Sequence, residues 1–270
     1  MTSLAAPNNA PAADPKPGVP GLGSSLAGLW VLSWRGFFAW RRAPLWLAAL
    51  VANPLLAWLS LPDGESTGFL HWNVHLYVGL LMPLYCLVVC GAMIRDEVQD
   101  DTLAFLVTRP LTRARLYLGK YVCQLAWLQC VFLVNGLLLL GVGLLRDIPE
   151  APSLASRVLL AGILAALVYG ALGGVFGLLT RRYIVLGLVY GFIVEVGIGH
   201  IPTNINSLSM LRHLQDLLAG HPAVQTRYDW SADGSGTGVL IILGTTLTAL
   251  VVGAVLFTWK EFHASHEALK

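Results

Sequence analysis

Long apolar runs separated by short polar breaks dominate the chain. Six of them have the length of a membrane-crossing helix: Pro44–Leu61, Asn73–Ile94, Tyr121–Leu145, Ser156–Leu179, Tyr183–Ile201 and Gly238–Trp259. About 20 apolar residues in a helix cross roughly 30 Å of hydrocarbon, and a helix satisfies its own backbone there. The pattern predicts an all-α integral membrane protein with six transmembrane helices. Ahead of the first run, LAGLWVLSWRGFFAWRR sets Trp30, Trp34, Phe37 and Phe38 along one side, with Arg35, Arg41 and Arg42 as polar anchors. That is the pattern of an interfacial helix lying in the headgroups. Between the fifth and sixth runs, SLSMLRHLQDLLAG spaces Leu208, Leu211, Leu214 and Leu218 as a helix would, which predicts an outer amphipathic segment.

Composition agrees with this class. The chain is 56% hydrophobic and 12% charged, against about 25% charged in soluble domains. The distribution of basic residues orients it. Thirteen of the 17 Lys and Arg residues fall in the two termini and in the connections between runs two and three and between runs four and five. Basic residues collect on the cytoplasmic side, so both termini are expected there, in a multi-pass protein of the cell (inner or plasma) membrane. Residues 1–24 carry five prolines and no apolar core. They read as a disordered cytoplasmic tail rather than a signal peptide, which leaves 25–270 as the transmembrane domain.

Nine of the 32 charged residues crowd between Arg95 and Lys120, in RDEVQDDTLAFLVTRPLTRARLYLGKY. Asp100 and Asp101 suit a helix N-terminus. Pro110 ends that helix, because the residue before a proline is pushed out of helical geometry. Thr112 can cap the next one. The result is a charged helical protrusion on the cytoplasmic face, with Leu103, Leu106 and Val107 free to dock. Glu97, the pair Thr102-Leu103, Pro110, Arg113 and the pair Gly119-Lys120 resemble the E…TL…L…P…R…GK signature of ABC-2-type transporter permeases. The resemblance is closest to the six-span subgroup that includes the permeases of nitrous-oxide-reductase maturation and gliding motility. Where that signature usually has glycine before Thr-Leu this chain has Asp101, and where it often has an acid after the pair this chain has Ala104.

The resemblance implies that this connection is a coupling helix seated in a groove of a separate ABC ATP-binding subunit. Glu97, Asp101, Thr102, Leu103, Leu106, Pro110, Arg113 and Lys120 are then the coupling residues. It implies a homodimer, or a pseudo-dimer with a second permease, with ATP and Mg²⁺ bound in the partner subunit. The chain has no G-x-x-x-x-G-K-[ST] phosphate loop; Gly119-Lys120 is followed by Tyr121. No cofactor is therefore expected on this chain, which is not itself an enzyme, and no nucleic acid is expected as a partner. The function implied is the permease subunit of an ATP-driven exporter. The alternative is a membrane scaffold that transmits ATP-driven motion to another protein without moving a solute.

Glu195 is the acid inside a predicted span, where a carboxylate is costly. It either lines a translocation path or reaches the outer interface or a neighbouring helix. A lone acid, with no second carboxylate at that depth and no H-E-x-x-H, does not suit an intramembrane enzyme. Gly170/Gly174, Gly173/Gly177 and Gly187/Gly191 are small residues four apart and predict close helix packing, within one chain or between two. Pro54 and Pro83 predict kinks. Cys86, Cys90, Cys123 and Cys130 read as small apolar residues and His71 and His75 as interfacial ones, so no metal site is predicted.

Overall fold

The structure, a computed structural model, describes residues 28, 30–31, 33–34, 43–99, 112–197, 204–230 and 235–260. Helix α1 spans Ala43–Ser60. Helix α2 begins at Ser66–His71, widens through a π-helical stretch Trp72–Leu81, and continues as Met82–Gln99. Helices α3, Arg113–Leu145, and α4, Ala151–Leu179, are uninterrupted. Helix α5 joins Tyr183–Tyr190 to a π-helical Gly191–Gly197. A short 3-10 turn, Asn204–Leu208, leads to α6, Met210–Ala219, then α7, Pro222–Tyr228, and α8, Ser235–Trp259. Among the described residues there is no strand. Helices α1 to α4 and α8 are long and apolar enough to cross a membrane, whereas α5 is apolar but shorter.

At both prolines expected to kink their helices, a π-helical stretch comes just before. Proline cannot donate to the carbonyl four residues back, or to the one five back where the turn is π-helical. Pro54 follows a π-helical stretch at Ala48–Ala52, and Pro83 follows the one at Trp72–Leu81. The carbonyls that the prolines leave free thus sit in widened turns, where other groups can reach them. In α1 the group is the side chain of Asn135, which donates to the Ala49 carbonyl. Asn53 Nδ2 donates to Asn135 Oδ1 at 2.8 Å, and Trp72 Nε1 donates to Asn53 Oδ1 at 3.1 Å. This amide chain joins α1, α2 and α3 through the apolar core.

Helix α4 is the hub. Of its most apolar window 72% is buried, against 22% for α8, which leaves most of its surface uncovered by this chain. Glycines set the seam between α4 and α2. A Cβ on Gly173 would lie 3.2 Å from both the Cys86 carbonyl oxygen and the Leu87 Cα, and one on Gly177 would strike the Gly91 carbonyl. Gly170 and Gly174 face Cys90 and Tyr117, and Gly187 of α5 faces Leu87. Gly191 is different: nothing lies within 4 Å of a Cβ there, so it meets no neighbouring helix within this chain. Gly91 is one that the four-residue spacing did not single out.

Near the other end of the chain, Trp30 and Trp34 pack their rings on Trp127 of α3, at 4.8 and 4.4 Å. The remaining residues of the expected interfacial helix, Arg35, Phe37, Phe38, Arg41 and Arg42, and the tail 1–24 lie outside the described residues.

At the end of the bundle where α3 ends and α4 begins, Arg146 fastens the 61–65 turn. It donates to Asp63 Oδ1 and to the Trp58 carbonyl, both at 2.7 Å, and its guanidinium lies 4.1 Å over the Trp58 ring. Helix α6 is tucked against the same end. Met210, His213, Leu214, Leu217 and Leu218 form its buried face. Leu214 and Leu218 match the expected stripe, but Leu208 precedes the helix, in the 3-10 turn, and is 58% exposed.

Helix α7 is capped by His221, whose Nδ1 accepts from the Ala223 amide at 3.3 Å. Its Nε2 therefore carries the proton and donates to Ser153 Oγ at 2.8 Å, while Ser153 donates to the Glu150 carbonyl. The imidazole holds the serine and is not placed to act as its base. Burial, helped by Arg157 and opposed by Glu150, pushes the His221 pKa below the usual histidine value. The neutral form is thus favoured by folding, and its contribution is complete above about pH 6.5. It is lost as pH falls through the lowered value. Proteolysis around Pro222–Tyr228 should accelerate in mild acid, and His221→Asn, which keeps a capping acceptor, should remove that pH dependence.

Candidate functional site

Helices α2, α4 and α8 end, and α3 and α5 begin, at one end of the bundle. The last carbonyls of a helix lack intrahelical donors and carry partial negative charge. Here basic side chains supply the donors. Arg95 Nε donates to the Gly177 carbonyl at 2.8 Å, and Lys260 Nζ to Leu178 at 2.5 Å and Leu179 at 3.4 Å. Arg113 reaches from the first turn of α3 to the carbonyls of Thr258 and Lys260, at 3.3 and 3.5 Å. Burial and the nearby Arg95 push the Lys260 pKa below the usual lysine value. Thr112 caps α3, its hydroxyl accepting from the Arg115 amide at 3.4 Å.

The tightest link in this layer is Lys120. It is 4% exposed, donates to the Met93 carbonyl at 3.1 Å and pairs with Glu97. Residues 23 apart in sequence thus lock the end of α2 to the start of α3. The sequence reading grouped Glu97, Arg113 and Lys120 as coupling residues. The structure joins Glu97 to Lys120, but turns Arg113 to the end of α8. Asp101, Thr102, Leu103, Leu106 and Pro110 lie outside the described residues. Removing one partner of a buried pair leaves the other charge uncompensated, at about 3–5 kcal/mol. Glu97 keeps some access to water, so Lys120→Ala should cost about 3 kcal/mol, at the low end of that range. The checking measurement is thermal unfolding of the detergent-solubilised protein, with Arg115→Ala, on an exposed side chain, as the neutral comparison.

Glu195 lies towards the other end, in the π-helical part of α5, and is 7% exposed. Its Oε2 accepts from Ser209 Oγ at 2.7 Å and from the Leu211 amide at 2.9 Å. Ser209 Oγ in turn accepts from the Arg212 amide at 3.2 Å. The carboxylate therefore sits at the positive N-terminus of α6 and ties it to α5. Tyr169 of α4 and Tyr190 of α5 bring their hydroxyls towards the same carboxylate. Neither tyrosine was marked by the sequence pattern, because each reads there as one aromatic among many. Among the described residues no group of three or more His, Cys, Asp or Glu side chains is placed to hold a metal ion. The His71 and His75 rings lie 4.8 Å apart at a tilt, and His75 lies 5.0 Å from the Tyr228 ring, in an aromatic cluster.

The family model of ABC-2 family transporter proteins matches residues 37–206, more than half of the chain. The chain belongs to this family. No curated protein matches it at a significant level. The family match takes in α1 to α5, the connection at 100–111 and, of the basic layer, Arg95, Arg113 and Lys120 but not Lys260, and stops before α6. An ABC-2 permease is a multi-pass membrane subunit of an ABC system, and family membership implies association with an ABC ATP-binding subunit.

Proposed function

We propose that this permease couples ATP hydrolysis by a separate ATPase subunit to the export of a substrate, with residues 100–111 as the element that seats in that subunit. ATP and Mg²⁺ are held by the partner, and the working unit is a homodimer or a pseudo-dimer with a second permease. The basic end and both termini face the cytoplasm of a cell or inner membrane, and α5 with the residues that follow it makes the sixth crossing. On Glu97, Thr102-Leu103, Pro110 and Gly119-Lys120 we read the chain as nearest to the subgroup that includes the nitrous-oxide-reductase maturation and gliding-motility permeases.

The observation that carries this reading is the layer of basic side chains around the connection. Lys120 locks α2 to α3, Arg95 and Lys260 hold the end of α4, and Arg113 holds the end of α8. A push on the 100–111 connection is delivered to four helices as a unit, through short contacts between rigid elements. A connection that only set topology would need its basic charges, but not their insertion between helix ends.

Single cysteines in a cysteine-free background test the arrangement. Arg181 and Lys270 substituted by cysteine should label only from the cytoplasmic side, and Gly64 and Asp229 only from the outside. External labelling at position 270 contradicts the six-crossing arrangement. The scaffold reading draws on the Glu195 link, which would carry a movement of α5 directly to α6 on the outer face. Vesicles containing both subunits separate the two readings by whether ATP hydrolysis moves solute.

A further inference from the structure

A groove of about 470 Å³ runs along the surface of the bundle between α4 and α8. Leu172 and Val175 of α4 and Ile241, Thr245, Thr248 and Val252 of α8 line it. Ile241 and Val252 lie about 16 Å apart along the helix axis, at 1.5 Å per residue. A Cβ on Gly244, also in the wall, would meet nothing within 4 Å, so the groove is open there. The Thr248 hydroxyl is already bonded to the Gly244 carbonyl, at 2.9 Å, and offers a ligand little. The groove therefore suits a hydrocarbon chain. Residues seven apart share a helix face, so Leu179 and Trp259 continue the two walls beyond Leu172 and Val252. They are 51% and 83% exposed. They lie at the basic end of the bundle, where Lys260 Nζ holds the Leu178 and Leu179 carbonyls.

The charge at that end is not balanced. Arg95, Arg181, Arg182 and Lys260 gather there, and none of them forms an ion pair with an acid among the described residues. Arg95 and Lys260 are bonded to carbonyls at the end of α4, but a helix end supplies only about half a negative charge. Arg181 is near enough to Arg95, and Arg95 to Lys260, for their charges to repel. The Arg181 and Arg182 side chains are exposed, open to an anion at the membrane surface. Helix α5 starts beside them, at Tyr183, and no side chain caps its first amides, which adds positive potential. A phosphate suits these groups, because arginine binds it through paired N–H bonds. A free phosphate would leave the groove empty, whereas a lipid fills both. We propose that the α4–α8 groove and the cations at its end bind an anionic phospholipid, its phosphate on Arg181 and Arg182 beside Arg95 and Lys260 and one acyl chain along the groove. A second copy covering the groove about a two-fold axis along the membrane normal would set these cations against their own copies, which like charge disfavours. The site goes beyond the transport reading, since binding needs neither the ATP-binding subunit nor turnover.

The test uses the purified full-length permease in phosphatidylcholine nanodiscs, with a phosphatidylglycerol carrying a photoreactive diazirine on its acyl chain as the probe. Saturable labelling is expected within residues 172–175 and 241–252. Unlabelled phosphatidylglycerol should suppress it, and extra phosphatidylcholine of the same chains or inorganic phosphate should not. Arg181→Gln should raise the lipid fraction needed for half-maximal labelling about fivefold. Combined with Arg182→Gln the rise should be about twenty- to thirtyfold, the range for one and two basic residues at a membrane surface. Both side chains are exposed, so an unchanged melting temperature should accompany the loss. Thr248→Trp, which fills the groove, should abolish labelling there and leave the cations in place. Wild-type labelling in the double variant overturns the proposal. Equal competition by phosphatidylcholine overturns it as well, since the groove would then take any lipid. Equal suppression by inorganic phosphate assigns the cations to a free anion, with the same consequence. So does efficient Thr248→Cys cross-linking between two copies with no anionic lipid present, since a second copy would then be what covers the groove.

Discussion

Gly177→Leu should leave little folded protein. A side chain at that position meets the backbone of α2, with the Gly91 carbonyl carbon 2.9 Å and the Gly91 Cα 3.1 Å from the new Cβ, and the carbonyl oxygen closer still. Overpacking a core typically costs about 1–3 kcal/mol when side chains can give way. Here the obstacle is main chain, and α4 is the helix against which α2, α3, α5 and α8 all pack. The same step would displace the Gly177 carbonyl from Arg95, a contact at 2.8 Å. A cost of about 3 kcal/mol or more follows, a large share of the stability of an ordinary domain. Two other glycines give the scale. Gly187→Leu meets only the flexible end of Leu87 and should cost less, and Gly191→Leu meets nothing and should be neutral. Fluorescence-detected size exclusion after a temperature ramp would rank the three. Equal melting of Gly177→Leu and wild type would mean that the α2–α4 seam is misplaced.

The parts of this fold that periodicity and chemistry dictate locally could be read from the sequence. The apolar runs locate α1 to α4 and α8, and Thr112 caps α3 where its hydroxyl and the helix start required it. Helix α3 begins at Arg113, as the Thr112 cap predicts, and carries the expected span from Tyr121 as its apolar part. What the pattern did not show is that Arg113 and Lys120 find carbonyls and a carboxylate to bind on neighbouring helices. That satisfaction is a tertiary fact and leaves no local mark. Gly191 matched the spacing of a packing glycine and faces open space, whereas Gly91, with no glycine four residues away, receives Gly177 and the Tyr183 ring. Small-residue spacing shows which helix faces can approach closely, not which of them do. Asn53 and Asn135 lie 82 residues apart and meet only because α1 and α3 are neighbours. Glu195 was visible as an oddity, but its partners come from α4, α6 and its own helix, and only the assembled bundle brings them together.

The central claim is that residues 100–111 dock on an ATP-binding subunit and drive the helices clamped around them. Leu103 is the residue whose change should matter most. A docked leucine is worth roughly 1.5–3 kcal/mol on burial, which is about a ten- to hundredfold change in affinity, and an aspartate in its place adds a desolvation cost. Arg113→Ala should be milder. Its contacts are to the end of α8, at 3.3 and 3.5 Å, and an exposed charge at the interface is worth about 0–1 kcal/mol. Leu103 lies outside the predicted spans, so Leu103→Asp should insert and accumulate normally. The direct measurement is the amount of ATP-binding subunit recovered with the tagged permease, together with its ATP hydrolysis in vesicles. We expect Leu103→Asp to lose most of the bound subunit and the permease-dependent part of hydrolysis, and Arg113→Ala to retain most of both. A Leu103→Asp permease that keeps its full complement of ATP-binding subunit and full activity contradicts the account.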